Sequence, residues 1–252
     1  MSPRHWMGVA LVALSMAAAS RANAAGGELS YAAFDTVLIR HLAGGRVDYG
    51  ALARDRAPLE RFLSSTRDAR PAAWARNDQI AFWVNVYNAR VLDGIVRRPG
   101  LKSVLDVGKV VGVPTLGFFH EKFFAAGREL ALNEIEHEIL RKGFHEPRIH
   151  FVLNCASASC PSLPARALSG ATLDSTLDAA AAAFLGDRSK NPMVSGSDLR
   201  LSSIFKWYRS DFESAAGSLP AFLQRHANRG DAVLTGAAIH FVDYDWSLNG
   251  HW

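Results

Sequence analysis

The feature that most constrains the fold is a long apolar repeat in the first half of the chain. Apolar residues recur at every third or fourth position from Ile80 to Ile95, which predicts a helix over 77–97. Trp83 and its apolar neighbours widen the apolar surface beyond one stripe, and Gly100 follows the predicted end. We therefore expect this helix to lie at the centre of the core.

Two asparagines interrupt this apolar helix. Asn85 and Asn88 lie about one turn apart, and asparagine is a poor helix former because its amide competes for backbone hydrogen bonds. Either the two amides make buried hydrogen bonds, or they lie at a solvent-exposed edge of the helix. We include them, together with Trp83, among the candidate substrate-binding residues.

The remaining elements are shorter, and their order indicates the fold class. Helices are predicted over 31–42, 58–63, 133–142, 173–185, 203–212 and 220–226. Strands are predicted in a hairpin over 118–132, over 148–155, in a second hairpin pairing 193–194 with 199–201, and over 238–242. Long helices come first and short strands cluster later, which favours an α+β fold with helices packed on a small antiparallel sheet.

The first 24 residues have the composition of a targeting segment. Arg4 provides a basic start, an apolar run over 7–19 follows, and Ala22-Asn23-Ala24 supplies an A-x-A cleavage signal. This predicts a signal peptide over 1–24, cleavage near Ala24, and a single mature domain over 25–252 in the periplasm or outside the cell. No later stretch is long and apolar enough for an integral membrane segment.

The charge of the chain argues against a nucleic-acid partner. The formal net charge of +4 includes Arg4 and Arg21, so loss of the leader leaves 26 basic and 24 acidic residues, a net charge of +2. No cluster of Lys and Arg is interleaved with aromatic residues. The mature chain is long enough to bury a full core as one domain.

The only two cysteines, Cys155 and Cys160, lie in one segment over 149–161. Alternation along the predicted strand 148–155 places Cys155 on a core-facing side, as is usual for a free cysteine. Cys160 comes after the strand, in a loop of small residues where a thiol can be reached. A disulfide between them is the alternative, favoured by an oxidising compartment but geometrically demanding over so short a loop.

Two further groups of residues have catalytic or binding chemistry. Glu136 lies three residues after Asn133, close to a capping box, yet it also falls within the apolar face of its helix, where a carboxylate needs a partner. The segments 203–212 and 240–249 are dense in aromatic residues, which usually pack in a core and can also line a cleft. The histidines and cysteines do not match a zinc spacing, and we expect no metal or cofactor.

The order of several motifs resembles the uncharacterised domain-of-unknown-function family 547. These motifs occupy 82–88, 135–141, 150–155 with 159–161, 203–212 and 244–249, and together they cover most of 31–249. The resemblance implies a cysteine-protease-like site, in which Cys160, His137 and Glu136 are the matching positions. Because His137 precedes Cys160, the reverse of the papain order, a papain-like arrangement would be permuted or convergent.

These residues predict an exported cysteine hydrolase or acyl transferase that acts on a peptide or amide bond. Cys160 would attack the carbonyl, His137 would transfer the proton, and Glu136 would orient the imidazole. Adjacent helical side chains diverge by about 100°, so Glu134 is an alternative to Glu136, and His150 is an alternative base.

The competing prediction is a non-catalytic binding domain with a structural cluster of Cys and His. Its aromatic cleft would hold an unknown peptide or small amide ligand. Trp207 and Tyr208 are the aromatic candidates for substrate binding in either case.

Overall fold

The computed structural model describes residues 29–108, 116–228 and 231–252. The predicted signal peptide over 1–24 and its cleavage site near Ala24 lie outside these residues. The α-helices are α1 (Ala32–His41), α2 (Tyr49–Arg54), α3 (Ala57–Ser65), α4 (Arg76–Val96), α5 (Leu116–His120), α6 (Lys142–Phe144), α7 (Leu173–Gly186), α8 (Ile204–Trp207), α9 (Arg209–Ala216) and α10 (Leu219–His226). The strands are β1 (Leu42–Ala43), β2 (Arg46–Asp48), β3 (Phe123–Ala125), β4 (Arg128–Leu130), β5 (Gly196–Ser202), β6 (Val233–Val242) and β7 (Gly250–His251). A π-helix spans Glu134–Arg141, and 3-10 turns span Pro71–Ala73, Val104–Asp106, Pro147–Phe151 and Gly170–Thr172.

Helix α4 is the centre of the larger of two apolar cores, as its periodicity predicts. Its 21 residues are buried over most of their length, and Ile80, Val84 and Ile95 have no exposed surface. Gly94 lets the ring of Phe118 lie directly against the helix, because a Cβ there would come within 2.8 Å of the ring. The helix therefore positions α5 and the segment after it. No helix in the described ranges is both long enough and apolar enough to cross a membrane.

The fold is a single-domain α+β fold, as predicted, but the strands do not form one antiparallel sheet. β3 and β4 form the predicted antiparallel hairpin, whereas β2 pairs in parallel with β7 and β5 pairs in parallel with β6. Along the chain, helices α8 to α10 connect β5 to β6, and this crossover lets β6 run in the same direction as β5. The predicted hairpin over 193–201 is reduced to one antiparallel bridge between Met193 and Arg200.

The predicted strand over 148–155 is wrong, because the segment begins with a 3-10 turn over Pro147–Phe151. Pro147 stands at its start, and the Glu146 carboxylate caps it by accepting the backbone N–H of Arg148. The turn is buried on several sides, so its apolar run lacks the periodicity that separates a helical turn from a strand. The alternation used to assign the two cysteines therefore does not hold.

The helix predicted over 133–142 is a π-helix over Glu134–Arg141, continued by α6. The expected capping box does not form: the Asn133 side chain makes no cap bond, and the Glu134 carboxylate accepts the Ala131 N–H at 2.8 Å. The carboxylate of Glu136 is therefore free of a capping role. Short π-helical turns are rare and are frequent at functional sites.

Candidate active site

A cavity of about 260 Å³ opens beside α4, between the π-helix, the cysteine segment and α8. We call it the central cavity. Its wall includes Glu136, His137, His150, Cys155, Trp207 and Tyr208. The fold thus brings together four predicted site residues and the alternative base His150, but the cysteine that lines the cavity is Cys155 and not the predicted Cys160.

The Glu136 carboxylate is held by two tyrosines. The hydroxyl of Tyr87 donates to Oε2 at 3.1 Å, and the hydroxyl of Tyr208 donates to Oε1. Burial, reinforced by the charge of Glu136, raises the pKa of Tyr87 and of Tyr208, so both hydroxyls keep the protons they donate. Glu136 makes no hydrogen bond to His137 among the described residues, so the expected orienting contact is not formed.

His137 is positioned by a cation instead of a carboxylate. Its Nδ1 lies 2.9 Å from Nη1 of Arg141, one turn further along the π-helix. Because a guanidinium can only donate, Nδ1 accepts and Nε2 carries the ring proton. The alternative partner Glu134 is also engaged elsewhere, since it pairs with Lys122 and accepts a backbone N–H.

His150 has the carboxylate partner that His137 lacks. Its Nε2 lies 2.8 Å from Oδ2 of Asp211, and its ring stacks on Tyr208 with centroids 3.8 Å apart. Burial lowers the pKa of His150 and outweighs the opposing effect of Asp211, so the ring is neutral and Nε2–H donates. Nδ1 then carries a lone pair, and it has no hydrogen-bond partner among the described residues. The imidazole is therefore oriented and can accept a proton.

Asp211 is the residue of the candidate site that sequence reasoning misses. Arg141 donates to both of its oxygens, at 2.7 and 2.9 Å, in addition to the bond from His150. Burial alone would raise the pKa of Asp211, but the bonds from His150 and Arg141 hold it well below its usual range. The only signal in the sequence is its place in the aromatic motif over 203–212, where it is one polar residue among several.

The two cysteines form a disulfide with each other. Cys155 is half-buried at the wall of the central cavity, whereas Cys160 is 4% exposed and lies in the core. This reverses the expectation of a buried Cys155 and a reachable Cys160, because the chain leaves a 3-10 turn and not a strand. The hydroxyl of Tyr244 lies 3.4 Å from the sulfur of Cys155 and 3.2 Å from that of Cys160.

Aromatic rings form one side of the cavity entrance. Trp207, Tyr244 and Trp246 contact one another with ring centroids 4.7 to 5.8 Å apart. Trp207 is 46% exposed, so its ring is accessible from solvent. We call these three residues the aromatic cluster. It offers a flat apolar surface next to the polar wall.

The other candidate binding residues do not line the central cavity. Asn85 exchanges two hydrogen bonds with the backbone of Leu168, and Asn88 binds the C=O of Val152 and the N–H of Asn154. Trp83 is buried and packs on a core phenylalanine. Of the two alternatives for these asparagines, the structure shows buried hydrogen bonds and not a solvent-exposed edge, and each amide binds the backbone through both its oxygen and its nitrogen.

No cluster of three or more His, Cys, Asp or Glu side chains within 29–108, 116–228 and 231–252 is arranged to hold a metal ion. The polar groups at the central cavity are instead paired with one another and with arginine. The histidines among these groups can transfer a proton, and the cysteines can undergo thiol–disulfide chemistry.

Comparison with known proteins identifies a family but no activity. Residues 71–185 match the model of the family described as "Protein of unknown function, DUF547", and this part of the chain belongs to that family. No curated protein and no solved structure matches the chain. The matched segment contains α4, the π-helix and both cysteines, whereas Asp211 and the aromatic cluster lie beyond it.

Proposed function

We propose that this chain, with its DUF547 segment, is an exported thiol-dependent hydrolase or acyl transferase that acts on peptide or amide bonds in the central cavity. The observation that carries the proposal is the hydrogen bond between buried His150 and half-buried Asp211, because this histidine lines the same cavity as Cys155. A nucleophile, a base and a carboxylate that orients the base are the parts of an acyl-transfer site, whatever their order in the chain.

The nucleophile in this proposal is Cys155, because Cys155 lines the central cavity and Cys160 is buried in the core. Nδ1 of His150 takes the thiol proton as the sulfur attacks the carbonyl carbon, and it returns the proton to the leaving amine. Asp211 holds the ring in the required tautomer and stabilises the imidazolium. Water then hydrolyses the thioester, or another acceptor takes the acyl group.

His137 has a different role from the general base that its sequence context predicts. Because Nδ1 accepts from Arg141, the Nε2–H is left as a donor on a residue that lines the cavity. Such a donor stabilises the oxyanion that develops on the substrate carbonyl. Glu136, held by its two tyrosines, fixes the adjacent part of the wall.

The disulfide makes the observed form latent, since neither sulfur can attack while they are bonded. A dithiol reductant converts the bond into two thiols with two electrons and two protons, and is itself oxidised to a disulfide. A disulfide suits an oxidising compartment, which agrees with the proposed export to the periplasm or medium. Cell fractionation checks that location, and recovery in the cytoplasm alone contradicts it.

The test uses two matched variants, Cys155→Ser and Cys160→Ser, each of which abolishes the disulfide. We expect Cys160→Ser to hydrolyse p-nitrophenyl acetate or fluorescent casein without reductant, and to react quickly with iodoacetamide near neutral pH. We expect Cys155→Ser to do neither. Hydrolysis that survives in Cys155→Ser, or a Cys155 thiol no more reactive than free cysteine, contradicts the proposal.

A second candidate function is a non-catalytic domain that binds a peptide or small amide. The observations that favour it are the disulfide and the exposed aromatic cluster beside the cavity. In that case the variant Trp207→Ala weakens peptide binding, while Cys155→Ser and Cys160→Ser bind equally well. The same pair of cysteine variants therefore separates the two functions.

A further inference from the structure

A second, larger cavity of about 530 Å³ lies beside the C-terminal half of α4, under the β3–β4 hairpin. We call it the hairpin cavity. It shares no lining residue with the central cavity. Its cationic lining residues are Arg67, Arg90, Arg97, Arg98 and Lys122, and its carboxylates are Asp93 and Glu121. The aromatic part of the wall comes from Phe118, Phe123 and Phe124.

Three of these cations already have carboxylate partners. Arg97 binds Asp93 at 2.8 Å, Arg98 binds Glu121, and Lys122 binds Glu134, a residue outside the cavity lining. Each of these ion pairs neutralises the charges of its two members. The positive charge of the cavity that needs an anion is therefore that of Arg67 and Arg90.

Neither Arg67 nor Arg90 forms an ion pair with any described residue. The guanidinium of Arg67 lies over the ring of Phe124 at 4.9 Å, and that of Arg90 lies over the ring of Phe123 at 4.6 Å. Nη2 of Arg90 donates to the backbone C=O of Phe124 at 2.9 Å. The rings hold the two guanidinium planes in place and leave their charge uncompensated.

Arg90 also has a buried donor without an acceptor. Its Nε is excluded from solvent and has no hydrogen-bond partner among the described residues. Burial lowers the pKa of Arg90. The negative charge of Asp93 raises this pKa, and the positive charges of Arg97 and Arg67 lower it further. Unsatisfied buried donors are rare because each loses its hydrogen bond to water. An anion beside this guanidinium would relieve the repulsion between Arg90 and the like charges of Arg97 and Arg67.

We propose that the hairpin cavity binds a phosphoryl group through Arg67 and Arg90. Two uncompensated guanidinium groups match the charge of a phosphomonoester dianion, and planar guanidinium groups bind phosphate oxygens in pairs. The phenylalanines provide an apolar surface for the group that carries the phosphate. A soluble aryl or alkyl phosphate and the headgroup of a phosphomonoester lipid share this chemistry.

The experiment measures binding to the whole protein by calorimetry with phenyl phosphate and by sedimentation with vesicles of phosphatidylcholine that contain phosphatidic acid. Benzoate is the carboxylate comparison. The test variant is Arg67→Gln, because this side chain is exposed and its loss leaves the fold intact. Arg70→Gln removes the same charge three residues away, from a side chain that does not line the cavity. Arg90→Met is the second test variant, with circular dichroism to check folding.

We expect Arg67→Gln to weaken binding about tenfold, the effect of one charge-assisted hydrogen bond, and Arg70→Gln to leave it within about twofold. Dependence on Arg67 with phenyl phosphate identifies a soluble ligand, and dependence on Arg67 only with vesicles identifies a lipid headgroup. Either result supports the site. Absence of saturable binding to both probes overturns it. Equal affinities for the two glutamine variants, or binding of benzoate as tight as that of phenyl phosphate, overturn it as well.

Discussion

Helix α4 contacts two polar networks that differ in their chemistry. The asparagine network comprises Asn88 and Asn154, which are hydrogen-bonded to each other, and Asn85, which binds the backbone of Leu168 separately; its amides bind mainly backbone N–H and C=O groups. The cavity network consists of titratable side chains that bind one another: Tyr87, Glu136, His137, Arg141, His150, Tyr208 and Asp211. The first network is neutral and closed, and the second is charged and faces a cavity.

This difference separates a network that holds the backbone from one that presents titratable groups to a cavity. Asn88 holds the segment before Cys155 by two bonds to the backbone, and Asn154 continues this by binding the C=O of Pro161. The asparagine network thus fixes the loop that carries both cysteines. The cavity network keeps two histidines in defined tautomers at a wall that a substrate can reach. In both networks, hydrogen bonds offset the cost of removing polar groups from water. Only the cavity network has ring nitrogens that a ligand could bind.

The largest effect that tests this comparison is on stability, in the asparagine network. Asn88→Ala leaves the C=O of Val152 and the N–H of Asn154 without partners in the core, so we expect the free energy of unfolding to fall by roughly 3 kcal/mol. Urea denaturation measures it. The control is Asn77→Ala at the start of the same helix, whose amide makes one long bond to Asp174, with an expected change within about 0.5 kcal/mol. Equal changes in the two variants would remove the distinction between the networks.

The central helix could be predicted because its periodicity is strong and its burial continuous. The cysteine segment could not, because a run of apolar residues around Ile149 is compatible with a strand and with a buried turn. Pro147 and the cap from Glu146 favour the 3-10 turn over a strand, and neither is visible in the pattern of apolar residues. Because the strand over 148–155 is predicted wrongly, the predicted exposure of the two cysteines is the reverse of the observed one.

The sequence predicts which segments meet at the candidate site better than it predicts the hydrogen bonds between their side chains. His137, Glu136 and the cysteine segment do meet at one cavity, because they flank α4 in the fold. The pairing of His150 with Asp211 joins positions 61 residues apart, and no local pattern encodes it. Spacing along a helix can exclude a contact, as it did for Glu136 and His137, but it cannot supply the distant partner.

The next effect is on activity and belongs to the cavity network. Asp211→Asn keeps the shape of the side chain but removes the charge that stabilises an imidazolium at His150, so we expect kcat/KM of the reduced protein to fall about a hundredfold. The assay is hydrolysis of the substrate found with Cys160→Ser. Asp243→Asn, an exposed carboxylate nearby in sequence, is the control with unchanged kcat/KM. Full activity in Asp211→Asn would give the cavity network the same purely structural role as the asparagines.

The smallest expected effect is on the pH dependence of the free energy of unfolding. It distinguishes the two networks because the cavity network contains groups that titrate and the asparagine network does not. The pKa of His150 is lowered by burial, so below about pH 6.5 the unfolded chain binds a proton that the folded protein does not. The contribution of His150 is therefore fully present above that pH and is lost as the pH falls through the window below it. The lowered pKa of Asp211 acts only below its ordinary value of about 3.9.

The pKa of His226 is also lowered by burial, so His226 adds its own pH dependence to the stability of every variant. Because this addition is the same in all variants, the difference in stability between two of them isolates the contribution of His150. We expect the stability gap between the wild-type protein and His150→Gln, measured by urea denaturation, to narrow from about pH 7.5 to about pH 5.5. The gap to Asn88→Ala stays constant over the same range, since amides do not titrate. A constant gap for His150→Gln would mean that the pKa of His150 is the same in the folded and unfolded protein. A gap that widens as the pH falls would mean that the folded protein holds a proton on His150, and the base at the central cavity would then have to be His137.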